Sequence, residues 1–371
     1  GFNDFTREDA VKRSEIKKIL VSMFERFGFE PAETPLIEYE EFVRGDNTND
    51  EAVSDIFKLQ DKGKRKLALR YEFTFQLKRL MNNKKLPYKR YQIGPVFRDE
   101  PVSSNRLRQF IQCDADIIGS CIKDEAEILA LANEILLKLG IEPIILINNR
   151  KLLNEILDSE GIKDKDKLNV LREIDKIDKL SEAEVKKNLK KYRAENIIDS
   201  LKKGEKFFNQ FSSYKEIISL MEYCKLYGIK VLFSPSVIRG LSYYNGNVFE
   251  IKTKGIKETI CAGGSYMFNN VQSTGISLGL DRISSLMKSE LKREKILVIS
   301  LDQDKKAIEL VQKLRKQEKI VQVYYGKPSK ALEYANSYNF QQVIFLGSEE
   351  IKKKKYKIKD MKSGKERFEK L

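Results

Sequence analysis

The stretch Phe97–Gly119, FRDEPVSSNRLRQFIQCDADIIG, constrains the fold more than any other part of the chain. From Arg106 onward it alternates. Arg106, Arg108, Phe110, Gln112, Asp114 and Asp116 fall on one face of a strand. Leu107, Ile111, Cys113, Ala115 and Ile117 fall on the other, with Gln109 the one misfit. A period of two with one apolar face describes a strand that packs that face into a core. The polar face carries two guanidiniums, a ring, an amide and two carboxylates, over about 33 Å at roughly 3.3 Å per residue. That gradient offers an anion site at one end, a stacking platform in the middle and a cation or donor site at the other. A half-exposed strand with cross-strand ion pairs shows the same alternation, so the pattern alone leaves both readings open.

The chain has 371 residues, room for two or three domains. Lys and Arg number 70 against 55 Asp and Glu, a formal charge of +15. Such an excess suits a polyanion, nucleic acid first, although a lysine-rich composition produces it too. Histidine is absent. This excludes imidazole bases, Ser–His and Cys–His pairs and His-ligated metals. Catalysis would run on Arg, Lys and carboxylates, with Mg²⁺ on oxygen ligands as an addition, and phosphate chemistry is the natural fit. Cysteines stand at 113, 121, 224 and 261 without C-x-x-C spacing, so neither a zinc knuckle nor a redox pair is expected. No apolar run reaches bilayer length and no signal-like start is present; unpaired cysteines fit a reduced, cytoplasmic setting, so a cytoplasmic, membrane-free protein is expected.

Residues 6–28 read as a helix, with Thr6 as cap and Gly28 as stop. Pro31 and Pro35 forbid helix in the segment that follows. IFKLQDKGKRKLALRYEF reads as a hairpin, and 75–81 as a short helix. Residues 88–98 form a strand, which makes DEPVSSN the loop of a second hairpin. A helix covers 124–139. From 146 to 227 the chain is helical, dense in charge and short of Gly and Pro, and reads as an insert. Strands return over 229–252, and glycines cluster in CAGGSYM and TGISLGLDRISSLM. Neither a P-loop nor a G-x-G-x-x-G is present. After 293 a βαβαβ pattern follows, ending in the basic tail IKKKKYKIKDMKSGKERFEKL.

Taken together, these stretches resemble the class II aminoacyl-tRNA synthetases, and within them the histidyl-tRNA synthetase family. GFNDFTREDA resembles the family's opening, and LRYEFT at 69–74 its amino-acid-binding segment. FRDEP…RLRQF resembles motif 2 and GISLGLDRI motif 3. RGLSYYNGNVFE and CAGGSYM resemble the two histidyl signatures. The implied fold is α+β: an antiparallel class II sheet flanked by helices, with a helical insertion and a C-terminal α/β anticodon-binding domain. The implied domains are a catalytic core over 1–145 and 228–293, the insertion over 146–227, and the anticodon-binding domain over 294–371.

The resemblance implies a histidine–tRNA ligase that activates L-histidine with ATP and transfers it to the 3′ end of tRNA(His). Arg98 would bridge the carboxylate and the α-phosphate, and Arg106 would hold the tail phosphates. Phe110 would lie under adenine, with Glu100 near its amino group and Arg282 on the nucleotide's other side, where Gly279 admits the backbone. Arg239 would stabilise the reaction's charge. Glu72, Thr74 and Gln112 would take the ammonium group. Asp116 and Tyr244 would meet the two imidazole nitrogens, with Tyr243 close by; adjacent strand residues alternate, so one of the two tyrosines should face away. Arg108 and Asp114 have no ligand in this scheme, and an ion pair is their default. No protein metal site is implied; Mg²⁺ would come with ATP. Motif 1 around Pro35 implies a homodimer.

The pattern is broken where Ser242 replaces the family's Asp, and where Ser265 and Met267 replace Arg and Asp. These losses leave an alternative: a catalytically inactive paralogue that binds tRNA or regulates another enzyme.

Overall fold

The alternating stretch becomes strand β6 of an eight-stranded sheet in a computed structural model of the chain. The structure describes residues 1–45, 51–103, 106–178, 180–238, 243–256, 258–287 and 294–370. Two compact units are present, Gly1–Ser289 and Glu290–Leu371.

The large sheet of the first unit uses β1 (Glu30–Pro31), β5 (Tyr88–Phe97), β6 (Gln109–Ile118), β7 (Ile144–Asn149), β8 (Val231–Phe233), β9 (Tyr244–Lys252), β10 (Cys261–Phe268) and β11 (Val271–Gly279). Their spatial order is β1-β5-β6-β11-β10-β9-β7-β8. The outer pairs β1–β5 and β7–β8 are parallel, and every pair between is antiparallel. β6 starts at Gln109, later than the alternation implies. Just before it, the N–H groups of Arg108 and Gln109 both donate to the carbonyl of Gly1, at 2.9 and 3.1 Å. Arg106 and Arg108 therefore precede the strand.

The two faces of β6 behave as its sequence requires. Cys113, Ala115 and Ile117 are fully buried on one of them. On that face the helix Arg7–Arg26 stacks Phe24 on Tyr91 of β5, ring centroids 5.1 Å apart. Thr6 precedes this helix, but its side chain makes no cap hydrogen bond. The other face holds Gln112, Asp114 and Asp116, and it is there that a cavity opens.

A small sheet, β2 (Ile37–Tyr39), β4 (Lys66–Leu69) and β3 (Lys58–Gln60) in that order, contains the expected first hairpin. β4 runs into a loop that docks on β5 through its backbone. Phe97 N–H donates to Arg70 O at 3.0 Å. Arg98 Nε donates to Tyr71 O at 3.2 Å, and Arg90 Nη2 to Phe73 O at 3.2 Å. Tyr71, Phe73 and Phe75 are buried, and Glu72 and Thr74 alternate with them.

Between β7 and β8 the described chain is helical from Arg150 to Leu226. The run begins at Arg150 rather than at 146, because 146–149 complete β7 in the large sheet. Asn149 ends that strand and caps the first helix, accepting from Lys151 N–H at 2.8 Å.

In the second unit β12 (Lys295–Ser300), β13 (Ile320–Tyr325), β14 (Gln342–Leu346), β15 (Lys355–Asp360) and β16 (Glu366–Lys370) order as β13-β12-β14-β15-β16. The first three are parallel, with helices Asp304–Lys316 and Pro328–Ser337 between them, as expected. The basic tail is not a plain tail: β15 and β16 form a hairpin that extends the sheet. Its signal was the alternation K-Y-K-I-K, which buries Tyr356 and Ile358 and leaves lysines on the other face. Among the described residues no helix is long and apolar enough to cross a membrane.

A polar network lies in the core of the first unit. Glu125, on helix Ile122–Lys138, accepts from Asn247 Nδ2 at 2.7 Å and from Ser265 Oγ. Burial pushes its carboxyl from 4.5 up to about 7, against the opposing pull of those two donors. A carboxyl raised in the folded state keeps a proton that the unfolded chain has released. Its contribution to stability is therefore full below about pH 4.5 and is lost as pH rises toward 7. Glu125→Gln removes that loss. The variant should gain about 3 kcal/mol on wild type between about pH 4 and pH 8, read from urea unfolding across that range.

Candidate active site

Three strands meet on the polar side of β6. Asp116 lies opposite Arg90 of β5 and Gly275 of β11, and Asp114 lies opposite Gln92 and Ser277. Gly275 is required by space: a Cβ there would stand 2.1 Å from Asp116 Oδ1. Asp116 Oδ1 accepts from Tyr266 OH of β10 at 2.7 Å. Arg90 Nη2 stands 2.8 Å from Asp116 Oδ2, a charge contact made by a guanidinium with no solvent exposure. Arg90 Nε and Nη1 have no hydrogen-bond partner among the described residues. Burial pushes the Asp116 carboxyl up, opposed by Arg90 and then by Tyr266. Asp114 is pushed up to about 7 by burial and by the Asp116 charge beside it.

The cavity above this row holds about 730 Å³, the size of a small-molecule site. Its inner part is bordered by Glu72, Thr74, Gln112, Asp116, Tyr243 and Tyr244. Both tyrosines line it, against the expected alternation. Tyr243 lies in the turn before β9, so strand geometry does not apply to it, and the two rings sit 4.8 Å apart. Tyr266 closes the aromatic wall, 5.6 Å from Tyr243.

The outer part is cationic. The Arg98 guanidinium lies 5.2 Å from the Phe110 ring centroid. Glu100 stands between two arginines, 2.9 Å from Arg106 Nη1 and 3.8 Å from Arg98 Nη1. Arg282 lines the same region and donates to Thr259 O. Asp281 ties this end together: it pairs with Arg13 at 2.6 Å and accepts from Ile111 N–H at 3.0 Å. A guanidinium fork beside an exposed ring face suits a nucleotide: phosphate oxygens on one, a base on the other.

Thus Glu72, Thr74, Arg98, Glu100, Arg106, Phe110, Gln112, Asp116, Tyr243, Tyr244 and Arg282 border one cavity. Arg239 and Ser242 lie outside the described residues. Arg108 does form an ion pair, with Asp99 at 3.3 Å. Among the described residues Asp114 has no ion pair: Gln112 Nε2 donates to it at 3.3 Å, and the residues opposite it, Gln92 and Ser277, are uncharged. Ser265 is buried on Glu125, and Met267 is about half-exposed. Among the described residues no three His, Cys, Asp or Glu are grouped to hold a metal. Sequence reasoning missed Arg90, Tyr266, Asp281 and Arg13. Arg90 and Tyr266 carry only a weak signal, as polar groups on the strand positions that face β6 Asp116.

A family model described as histidyl-tRNA synthetase matches residues 1–283. The chain belongs to the histidyl-tRNA synthetase family. Among relatives of this synthetase-family chain, histidine–tRNA ligase 1 of Bacillus cereus is 35% identical, covering 99% of this chain and 95% of its own length. Histidine–tRNA ligase of Wolinella succinogenes is 33% identical over 98% of this chain and 93% of its own. In fold, the chain matches the histidyl-tRNA synthetase of Nostoc sp. PCC 7120 with a TM-score of 0.86 at 24% identity, covering 100% and 95% of the two chains. It also matches an ATP phosphoribosyltransferase regulatory subunit/histidyl-tRNA synthetase from Bacillus halodurans C, TM-score 0.77 at 22% identity, over 93% and 96%. The α+β class II sheet with a C-terminal sheet domain is therefore the fold of this family member.

Arg90→Met leaves Asp116 buried without its counter-charge and should lower stability by about 3–5 kcal/mol. Adding Asp116→Asn should restore most of that in denaturant unfolding. Equal losses in the single and double variants would contradict the pairing.

Proposed function

We propose that the chain is a histidine–tRNA ligase, forming histidyl-adenylate from L-histidine and ATP and passing the histidyl group to the 3′ end of tRNA(His). The observation that carries this is the single cavity that borders acceptors for an ammonium group, a carboxylate and tyrosines for an imidazole, guanidiniums for phosphates and a ring for a base. The relatives named histidine–tRNA ligase, matched over nearly their whole length, support it.

Histidine enters with its ammonium toward Glu72, Thr74 and Gln112. Its imidazole is met by Asp116 and Tyr244, with Tyr243 beside them. A site that pairs both ring nitrogens strands buried polar groups when an apolar amino acid enters, and such sites discriminate by about 10⁴–10⁵. Arg98 holds the carboxylate near the α-phosphate, Arg106 the tail phosphates, and Arg282 the other side of the nucleotide. Phe110 stacks on adenine and Glu100 accepts from its amino group. The carboxylate oxygen attacks the α-phosphate in line, the bond to the bridging oxygen breaks, and pyrophosphate leaves. Arg239 stabilises the charge gathered on the phosphate. A ribose hydroxyl at the tRNA 3′ end then attacks the acyl carbon, and AMP leaves. Mg²⁺ accompanies ATP as the phosphates' counter-ion; the described residues supply no cage for it, so no step is assigned to it.

The loop over 99–105 meets the acceptor end of tRNA, the helical segment within 146–227 clasps the acceptor arm, and the unit over 294–371 binds the anticodon. The enzyme is a homodimer of the reduced cytoplasm. Exposed Leu36, Ile37 and Tyr39 at β2 support the dimer, and four free cysteines support the compartment.

Ser265 and Met267, in place of the family's Arg and Asp, favour one second reading, a paralogue without aminoacylation. Exchange between pyrophosphate and ATP separates the two. The ligase reading expects exchange with histidine alone among the amino acids, lowered about 10²–10³-fold in Arg239→Ala. No exchange with histidine, while tRNA still binds, decides for the paralogue. The same assay tests the close approach at β11. Gly275→Ala should raise KM for histidine about tenfold or more by displacing Asp116, with KM for ATP nearly unchanged.

A further inference from the structure

Asp114 borders the cavity, is only 4% exposed, and has no part in the proposed chemistry. Its contacts define a small lock. Gln112 Nε2 stands 3.3 Å from both Asp114 oxygens and 2.9 Å from Ser277 Oγ. Ser277 opposes the upward push on the Asp114 carboxyl, and its hydroxyl oxygen accepts from Gln112. All three side chains sit on neighbouring positions of β6 and β11, since Ser277 is the cross-strand partner of Asp114. An ionised carboxylate only accepts. Turning the Gln112 amide over would set its oxygen against two anionic oxygens, so the nitrogen is fixed on the Asp114 side. The other end of the amide is then fixed as well. Gln112 is 7% exposed, and its Oε1 is buried with no hydrogen-bond partner among the described residues. A buried acceptor left unmatched calls for a donor from a ligand.

We infer that Asp114 is a positioning residue: with Ser277 it holds the Gln112 amide so that Oε1 is offered to a primary ammonium group in the cavity. This rests on the amino-acid site proposed above. The ammonium brings three N–H donors and no acceptor, and Glu72, Thr74 and Gln112 offer oxygens on the same border of the cavity. Position 114 thereby sets how tightly the ammonium, and not the imidazole, is held. In Asp114→Asn the side-chain amide can donate to Gln112 Oε1, so Gln112 is free to turn its NH₂ toward the ligand and repel it.

Two ligands separate this role from a general structural one. Histidinol keeps the ammonium and the imidazole, and imidazolepropionate lacks the ammonium. Calorimetric titration of the full chain at about pH 8, where Asp114 is ionised, reads both. Asp114→Asn should weaken histidinol about tenfold and leave imidazolepropionate within about twofold of wild type. Ser277→Ala should move histidinol alone by about threefold, and it carries the test if Asp114→Asn does not fold. Equal weakening of both ligands, or of neither, overturns the positioning role. Wild-type protein that binds neither ligand overturns the amino-acid site itself, and the role of Asp114 falls with it.

Discussion

A carboxylate buried inside a sheet needs a counter-charge, and in this protein Arg90 supplies it to Asp116. Both groups are out of water, and each alone would cost several kcal/mol. The pair works because β5 and β6 place the two residues directly opposite one another. Tyr266 adds a hydrogen bond from β10, and Gly275 on β11 leaves room for the carboxylate. Four strands thus converge on one side chain. A slip of one residue in β5 or β6 would carry a charge to the helix-packed face, so the same contact that shapes the site also specifies the register.

The rest of the cavity follows from that register. The backbone of 70–74 docks on β5, which turns Glu72 and Thr74 toward the row on β6. Asp281 anchors the helix Leu280–Leu286 to both β6 and Arg13, and brings Arg282 to the outer end. The result is a graded surface, carboxylates deep and guanidiniums outside. Since the chain has no histidine, the only imidazole in the proposed site would be the substrate's. Catalytic power in such a site has to come from fixed charge and alignment.

Much of this was legible in the order of residues. The two faces of β6 follow from its alternation. The resemblance named most of the side chains that border the cavity, because those motifs are short and contiguous. What was not legible depends on contacts between distant segments. Arg90 and Tyr266 read as ordinary strand residues until β5, β6 and β10 are side by side. Asp114 was expected in an ion pair, since nothing in one strand tells that its cross-strand neighbours are Gln92 and Ser277. The alternation rule failed at Tyr243 because the strand starts one residue later. The C-terminal hairpin was hidden by its lysines, which drew attention to charge and away from Tyr356 and Ile358 between them.

The central claim is that the polar row of β6 reads histidine beside ATP. A crystal structure of the chain with a non-hydrolysable histidyl-adenylate analogue tests it most directly. The account predicts an imidazole N–H within about 3 Å of an Asp116 oxygen, the ammonium at Gln112 Oε1, and adenine on the Phe110 ring. An analogue bound with its imidazole away from Asp116, or its ammonium away from Gln112, would contradict it.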